Sequence, residues 1–220
     1  MERDGPHWTQ AQSGKSTFWA EFRLHLLYVL CVLFALSGCS RAIGRISPEV
    51  TPRSDLLNYK TPLKALLYGV HGNPSTTAIK IEKSAYRLTV LNSGTALKSY
   101  PVVFGCNPVD DKMREGDCRT PEGKFHIDAH YHHRLWSRFM RIDYPTRESW
   151  ARFKAAKRAG KLKPRATIGG YVGIHGVPDG YDDAIDTRTN WTLGCISLKT
   201  DDVKELYDFV RVGTPVTIVH

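Results

Sequence analysis

One histidine and one cysteine in the C-terminal quarter, His175 and Cys195, have the types and setting for nucleophilic catalysis. A thiol attacks only as its thiolate, and a neighbouring imidazole both draws off its proton and returns one to a departing amine. His175 closes a glycine-rich apolar stretch, YVGIHG, and Cys195 ends the turn Thr192-Leu193-Gly194-Cys195. That turn is expected to precede a helix whose first turn carries Asp201 and Asp202, so that backbone N–H groups near Cys195 face a developing oxyanion. Gly194 leaves room for a substrate to approach. Gly-Cys beside a helix equally describes a buried structural thiol, and the spacing alone leaves both readings open.

The other cysteines have competing explanations. Residues 24–36, LHLLYVLCVLFAL, have the length of a signal-peptide core and are short for a bilayer span. Arg23 precedes them, and Leu36-Ser37-Gly38-Cys39 follows, which resembles the lipobox cut by the lipoprotein signal peptidase. On that resemblance residues 1–38 are a signal peptide that takes Cys31 with it, and Cys39 becomes the acylated first residue. Several acyl chains on one cysteine anchor a protein stably. Ser40, in place of Asp, directs the expectation to a periplasmic protein lipid-anchored in the outer membrane. The long polar lead before Arg23 leaves an uncleaved membrane anchor as the alternative. An exported compartment permits disulfides, so Cys106 and Cys118, which bracket eleven residues, read as a loop staple, with two free thiols as the alternative.

Composition sets the frame for these residues. A chain of 220 residues with 41% hydrophobic and 24% charged positions fits one domain plus appendages. The net charge is +9, and residues 1–38 carry three basic and three acidic groups, so the excess lies downstream and favours an anionic partner. The longest basic cluster, Lys154 to Arg165, carries no nucleic-acid reading motif, and nucleic acid is not the expected partner. His126, His130 and His132 alternate, which on a strand puts them on one face, with His130 the member expected to meet substrate. No acidic or cysteine ligand stands at metal-site spacing beside them, and no metal or other cofactor is expected.

The elements that must position this chemistry begin after a proline-punctuated tether, residues 39–76, whose one short apolar run at Leu63 to Leu67 reads as a short helix. From Ala78 the period is two: AIKIEK, YRLTVL, the turn Asn92-Ser93-Gly94, then ALKSYPVVFG. GKFHIDAHYH and SRFMRIDY read as two further strands, ATIGGYVGIHG as a strand ending at His175, and Pro215 to Val219 as the last. TRESWARFKAAKRAG, with Trp150, Phe153 and Ala156 on one face, and KTDDVKELYDFVRVG read as helices. Many strands without βαβ alternation predict a mainly β fold, a sandwich or open barrel with two peripheral helices. The basic and aromatic residues Trp136, Arg138, Arg141, Tyr144 and Trp150 are either substrate contacts or ordinary core and surface.

His175-Gly176, a variable loop, and Thr192-Leu193-Gly194-Cys195-Ile196 resemble the signature of the YkuD-type L,D-transpeptidases. The resemblance continues through Asp202, Leu206 and Gly213-Thr214-Pro215-Val216-Thr217-Ile218, and upstream through Thr120-Pro121-Glu122-Gly123-Lys124-Phe125, covering residues 77–219. It implies a YkuD-like catalytic domain over 77–220, in which Cys195 attacks the L,D bond after the third residue of a peptidoglycan stem peptide and the terminal D-alanine leaves. An amine then resolves the acyl-enzyme, giving a cross-link or an attached lipoprotein, or water does, giving hydrolysis. His175 would be the base, oriented by the Gly173 carbonyl, with the Gly194 and Cys195 amides as oxyanion hole and Thr192 and Gly176 lining the substrate site. Two positions depart from the pattern: Leu193 where many members carry His, and Ser197 where many carry Arg. Arg119 is the residue expected to supply the carboxylate contact that Ser197 lacks. A non-catalytic wall-binding lipoprotein is the competing class, and thiol-disulfide exchange lacks its Cys-x-x-Cys.

Overall fold

The computed structural model describes residues 56–220. The expected signal peptide, the Cys39 acylation site and residues 39–55 of the tether lie outside the described residues.

Alternating residues build the first three strands, β1 (Thr77–Glu82), β2 (Arg87–Asn92) and β3 (Thr95–Pro101), paired antiparallel in sequence order. Ser93 and Gly94, both with positive φ (49° and 83°), make the two-residue turn between β2 and β3. β4 (Gly123–His133) and β5 (Ser137–Ile142) form a second hairpin, followed by α2 (Arg147–Arg158). Then come β6 (Gly173–Gly176), the short α3 (Asp183–Asp186), β7 (Ile196–Leu198), α4 (Thr200–Phe209) and β8 (Pro215–Val219).

The strands form one eight-stranded sheet in the order β3-β2-β1-β8-β4-β5-β6-β7. The last strand enters its middle, parallel to β1 and antiparallel to β4. Beyond β3 the chain reaches the other edge: Val103 N–H donates to Ser197 O (3.0 Å) and Ser197 N–H to Val103 O (2.9 Å). The sheet therefore curls until its two edges touch, a mainly β open barrel. Ile79, Ile81, Leu88, Val90, Met140, Ile174 and Ile196 fill it, and Val203 and Leu206 of α4 are buried in the same core.

Two features differ from the sequence expectation. The segment read as tether packs on the domain: its expected short helix, α1 (Leu63–Gly69), buries Leu63 and Leu67, one turn apart on a single face, and α3 is a helix the sequence did not announce. The Leu63 N–H donates to Glu205 Oε1 (2.7 Å) and Asn58 Nδ2 to Leu97 O (2.8 Å), which fastens the segment on the domain. On α2 the buried face is Ser149, Phe153 and Ala156, while Trp150 is 41% exposed and sets its ring edge-on to Phe153. Thr146 caps that helix by accepting the Ser149 N–H (3.3 Å). Among the described residues, no helix is long and apolar enough to cross a membrane.

Candidate active site

Short parallel pairing of β6 with β7 brings the histidine and the cysteine together. Ile174 faces Ile196 and His175 faces Ser197 in register; one residue earlier, Cys195 falls opposite Gly173. Alternation then puts residues 173, 175, 195 and 197 on one face of the sheet. The two positions are two residues apart, about 7 Å along the strand. Gly173 must be small: a Cβ there would lie 2.6 Å from the Phe139 ring and 2.8 Å from Met140 O.

Aromatic rings box the imidazole. Trp136 stacks on it at 4.4 Å, Phe139 lies parallel at 5.8 Å, and Trp191 stands edge-on at 5.6 Å. His133 stacks on the far face of this system, 4.3 Å from Trp136. His175 Nδ1 lies 2.7 Å from Gly176 O. A carbonyl only accepts, so Nδ1 carries the proton and Nε2 keeps a free lone pair. Burial drives the His175 pKa down to about 4, the Gly176 carbonyl opposing and His133 assisting. Burial also pushes the Cys195 thiol up, with the Gly173 backbone hydrogen bond and the Lys112 charge working the other way. The resting pair is therefore neutral thiol and neutral imidazole, and the thiol proton points to Tyr171 O (3.6 Å).

A tight turn presents the thiol. Thr192 Oγ1 accepts the Gly194 N–H (3.1 Å) and donates to Cys195 O (2.7 Å). Gly194 has φ of +140°, and a Cβ there would lie 2.7 Å from Arg119 O, so backbone and space both require glycine. Against this turn lies the loop bounded by the disulfide Cys106–Cys118, with Cα atoms 5.2 Å apart. Cys195 opens into a cleft of ≈310 Å³ whose walls include Lys112, Glu115, Gly116, Tyr171, Val172 and Leu193. Glu115 and Gly116 also line a larger cavity, ≈500 Å³, with Arg114, Lys161, Lys163 and Arg165.

Several expected roles change. The carbonyl that orients His175 is that of Gly176, not Gly173, because Nδ1 turns toward its own following peptide. Cys195 precedes a strand, and the helix opens five residues later at Thr200, so no helix N-terminus faces the thiol. Thr192 is buried and braces the turn in place of lining the cleft, and its hydroxyl occupies the Gly194 N–H expected in the oxyanion hole. Gly176 is a buried packing glycine that a Cβ would drive into Trp136 O and Val203. His130 stacks on Tyr207 of α4 at 3.7 Å, with Nε2 3.0 Å from Tyr207 O, because a β-bulge between Ile127 and Ala129 resets the alternation that grouped it with His126. Arg119 pairs with Asp110 (2.8 Å) and lines a different cavity. Ser197 is fully buried, its hydroxyl unpartnered. Among the described residues, no group of three His, Cys, Asp or Glu is placed to hold a metal ion.

Lys112, Trp191 and Tyr171 are not singled out by sequence reasoning, which takes His133 only as a neighbour of the histidines at 126, 130 and 132. Only Lys112 left a signal, its place inside the Cys106 to Cys118 loop five residues before Asp117.

The fold is a mainly β open barrel that carries His175 on β6 and Cys195 just before its parallel neighbour β7. Residues 76–218 match the family model of the YkuD L,D-transpeptidase catalytic domain, and the chain belongs to that family. Solved structures similar to it include Bd1075 from Bdellovibrio bacteriovorus (22% identity, 66% of this chain and 48% of that one, TM-score 0.45). The helical cell shape determining protein Pgp2 from Campylobacter jejuni is similar at 20% identity, over 65% of this chain and 47% of that one, with TM-score 0.48. An L,D-transpeptidase from Mycobacterium tuberculosis is similar at 16% identity over 66% and 58%, with TM-score 0.44. The chain thus matches about half the length of the first two. Comparison with curated protein sequences finds no match.

Proposed function

We propose that this domain is a peptidoglycan L,D-transpeptidase that works through an acyl-enzyme on Cys195. The observation that carries the reading is the β6–β7 register, which sets His175 and Cys195 on one face beside a cleft that opens at the thiol. As the substrate carbonyl arrives, His175 Nε2 takes the thiol proton and sulfur bonds to the carbonyl carbon. The Cys195 amide hydrogen-bonds the oxyanion. The C–N bond breaks, and the imidazolium returns its proton to the departing D-alanine amine. An acceptor amine then attacks the thioester, giving its proton to His175 as the C–S bond breaks and the thiol is restored. Water in the place of the amine makes the same cycle a hydrolysis. The basic cavity next to the cleft suits stem peptides, which carry free carboxylates. The protein works in the periplasm, held to the membrane by acylated Cys39, where a peptidoglycan-linked lipoprotein is a further substrate or product.

Purified sacculi incubated with the full chain and with Cys195→Ala test the reading. Wild type should yield new L,D cross-links when donor and acceptor stems are present, and tripeptides where water wins. Identical muropeptides from both proteins would defeat the enzymatic reading in favour of a wall-binding role. Globomycin should block maturation, and a mature chain that retains residues 1–38 would remove the lipid anchor.

A further inference from the structure

We infer that Lys112 is the residue that reads the substrate's terminal carboxylate, making the site selective for peptides with a free carboxylate one residue beyond the scissile carbonyl. This rests on the reading of Cys195 as nucleophile given above.

Three observations converge on it. Among the described residues, Lys112 is the only cation lining the Cys195 cleft. Its Nζ reaches the nucleophile turn, 3.6 Å from where a Cβ on Gly194 would stand. And the ammonium has N–H groups to spare. It carries three donors, and among the described residues it has one acceptor, Asp117 Oδ1 at 2.9 Å, although its side chain is only 4% exposed. Buried donors without acceptors are costly, so an anionic ligand arriving in the cleft recovers that cost.

Asp117 makes Lys112 a fixed probe. Its carboxylate also accepts the N–H groups of Met113 (2.7 Å), Arg114 (2.9 Å) and Arg119 (3.0 Å), which pins the loop on both sides of the pair. The disulfide closes the same loop covalently. Neither other cation expected at a substrate carboxylate is available: Arg119 is engaged by Asp110 outside the cleft, and position 197 holds a buried serine. In a bound tetrapeptide the carboxylate of the departing residue lies about one residue's length from the attacked carbonyl, ~3.8 Å between successive Cα atoms. A cation beside Gly194 is placed for it.

The test compares a stem tetrapeptide ending in D-alanine with the same peptide ending in the D-alanine amide, using the full chain and measuring release of the terminal residue. Wild type should prefer the acid about 10- to 100-fold in kcat/KM, the scale of a charged hydrogen bond. In Lys112→Met that preference should collapse toward one. If Lys112→Met fails to fold, Lys112→Gln, which keeps a donor for Asp117, carries the same comparison. Equal turnover of acid and amide by wild type would overturn the assignment while leaving the acyl-enzyme reading intact. An undiminished preference in Lys112→Met would overturn it as well. Turnover of neither peptide by wild type would overturn both.

Discussion

Two buried ion pairs in this domain look alike and serve different ends. Lys98 meets Glu205 at 2.7 Å, and Lys112 meets Asp117 at 2.9 Å, each lysine side chain 4% exposed. Around the first pair little is left open. Lys98 also donates to Thr61 O and lies over the Tyr59 and Tyr100 rings, while Glu205 accepts the Leu63 N–H and the Tyr100 hydroxyl. Burial acts to raise the Glu205 pKa, but these bonds outweigh it and bring the carboxyl down. Lys83 is similarly satisfied, by Asp110 O, Thr120 O and Glu122. Lys112 alone of the three faces a cleft with donors unspent. A buried charge enclosed by its acceptors and rings serves the fold, and one with donors left over at a cavity wall is open to a ligand.

That distinction requires cleft substitutions to change turnover and core-cluster substitutions to change stability. The largest effect is expected for His175→Phe, which keeps a ring in the aromatic box but removes the base. Turnover of the stem tetrapeptide should fall about 10²- to 10⁴-fold, and a folded variant with wild-type rates would end the distinction at its strongest point. Next is Lys98→Met, which leaves Glu205 without its cation. Urea unfolding should show a loss of about 3 kcal/mol, with kcat/KM per folded molecule unchanged.

The pH dependence comes third. His175 has a pKa of about 4 in the fold against 6.5 ordinarily. Between those values the unfolded chain binds a proton that the fold refuses, so its stability contribution, complete above pH 6.5, declines as pH falls toward 4. The loss amounts to about 3 kcal/mol. Urea midpoints at pH 7, 5.5 and 4 should therefore fall more steeply in wild type than in His175→Phe, and parallel curves would contradict the buried neutral imidazole. Smallest is the stability cost of Lys112→Met, about 1 kcal/mol, because Asp117 keeps its three backbone donors. A cost matching that of Lys98→Met would erase the contrast.

Strand β1 was legible because its burial alternates, and β2 and β3, though buried along most of their length, were legible because Asn92-Ser93-Gly94 names the turn between them. β6 was read as the end of the strand ATIGGYVGIHG, but β7 was not, since ISL is three residues long, buried at every position, and carries no alternation to read. This is why Cys195 looked like the start of a helix. The short helix α1 was legible in its apolar run, but its packing on the domain was hidden by prolines, which mark linkers as often as packed turns. His130 was misplaced by a bulge that no residue type announces. Lysine in a polar loop defaults to solvent, and only tertiary packing shows that Lys112 is buried.

The rings around His175 have an optical consequence. Indole emission is sensitive to a cationic imidazole in contact with it, and Trp136 lies face to face with this one while Trp191 meets its edge. In the proposed cycle the imidazole that carries the proton between the two halves of the reaction is thus flanked by fluorophores of the chain's own making. Acid titration should dim their emission near the His175 transition. Mixing with substrate should produce the same dimming briefly, for as long as the imidazolium lasts, so the proton's residence on His175 becomes a signal to time.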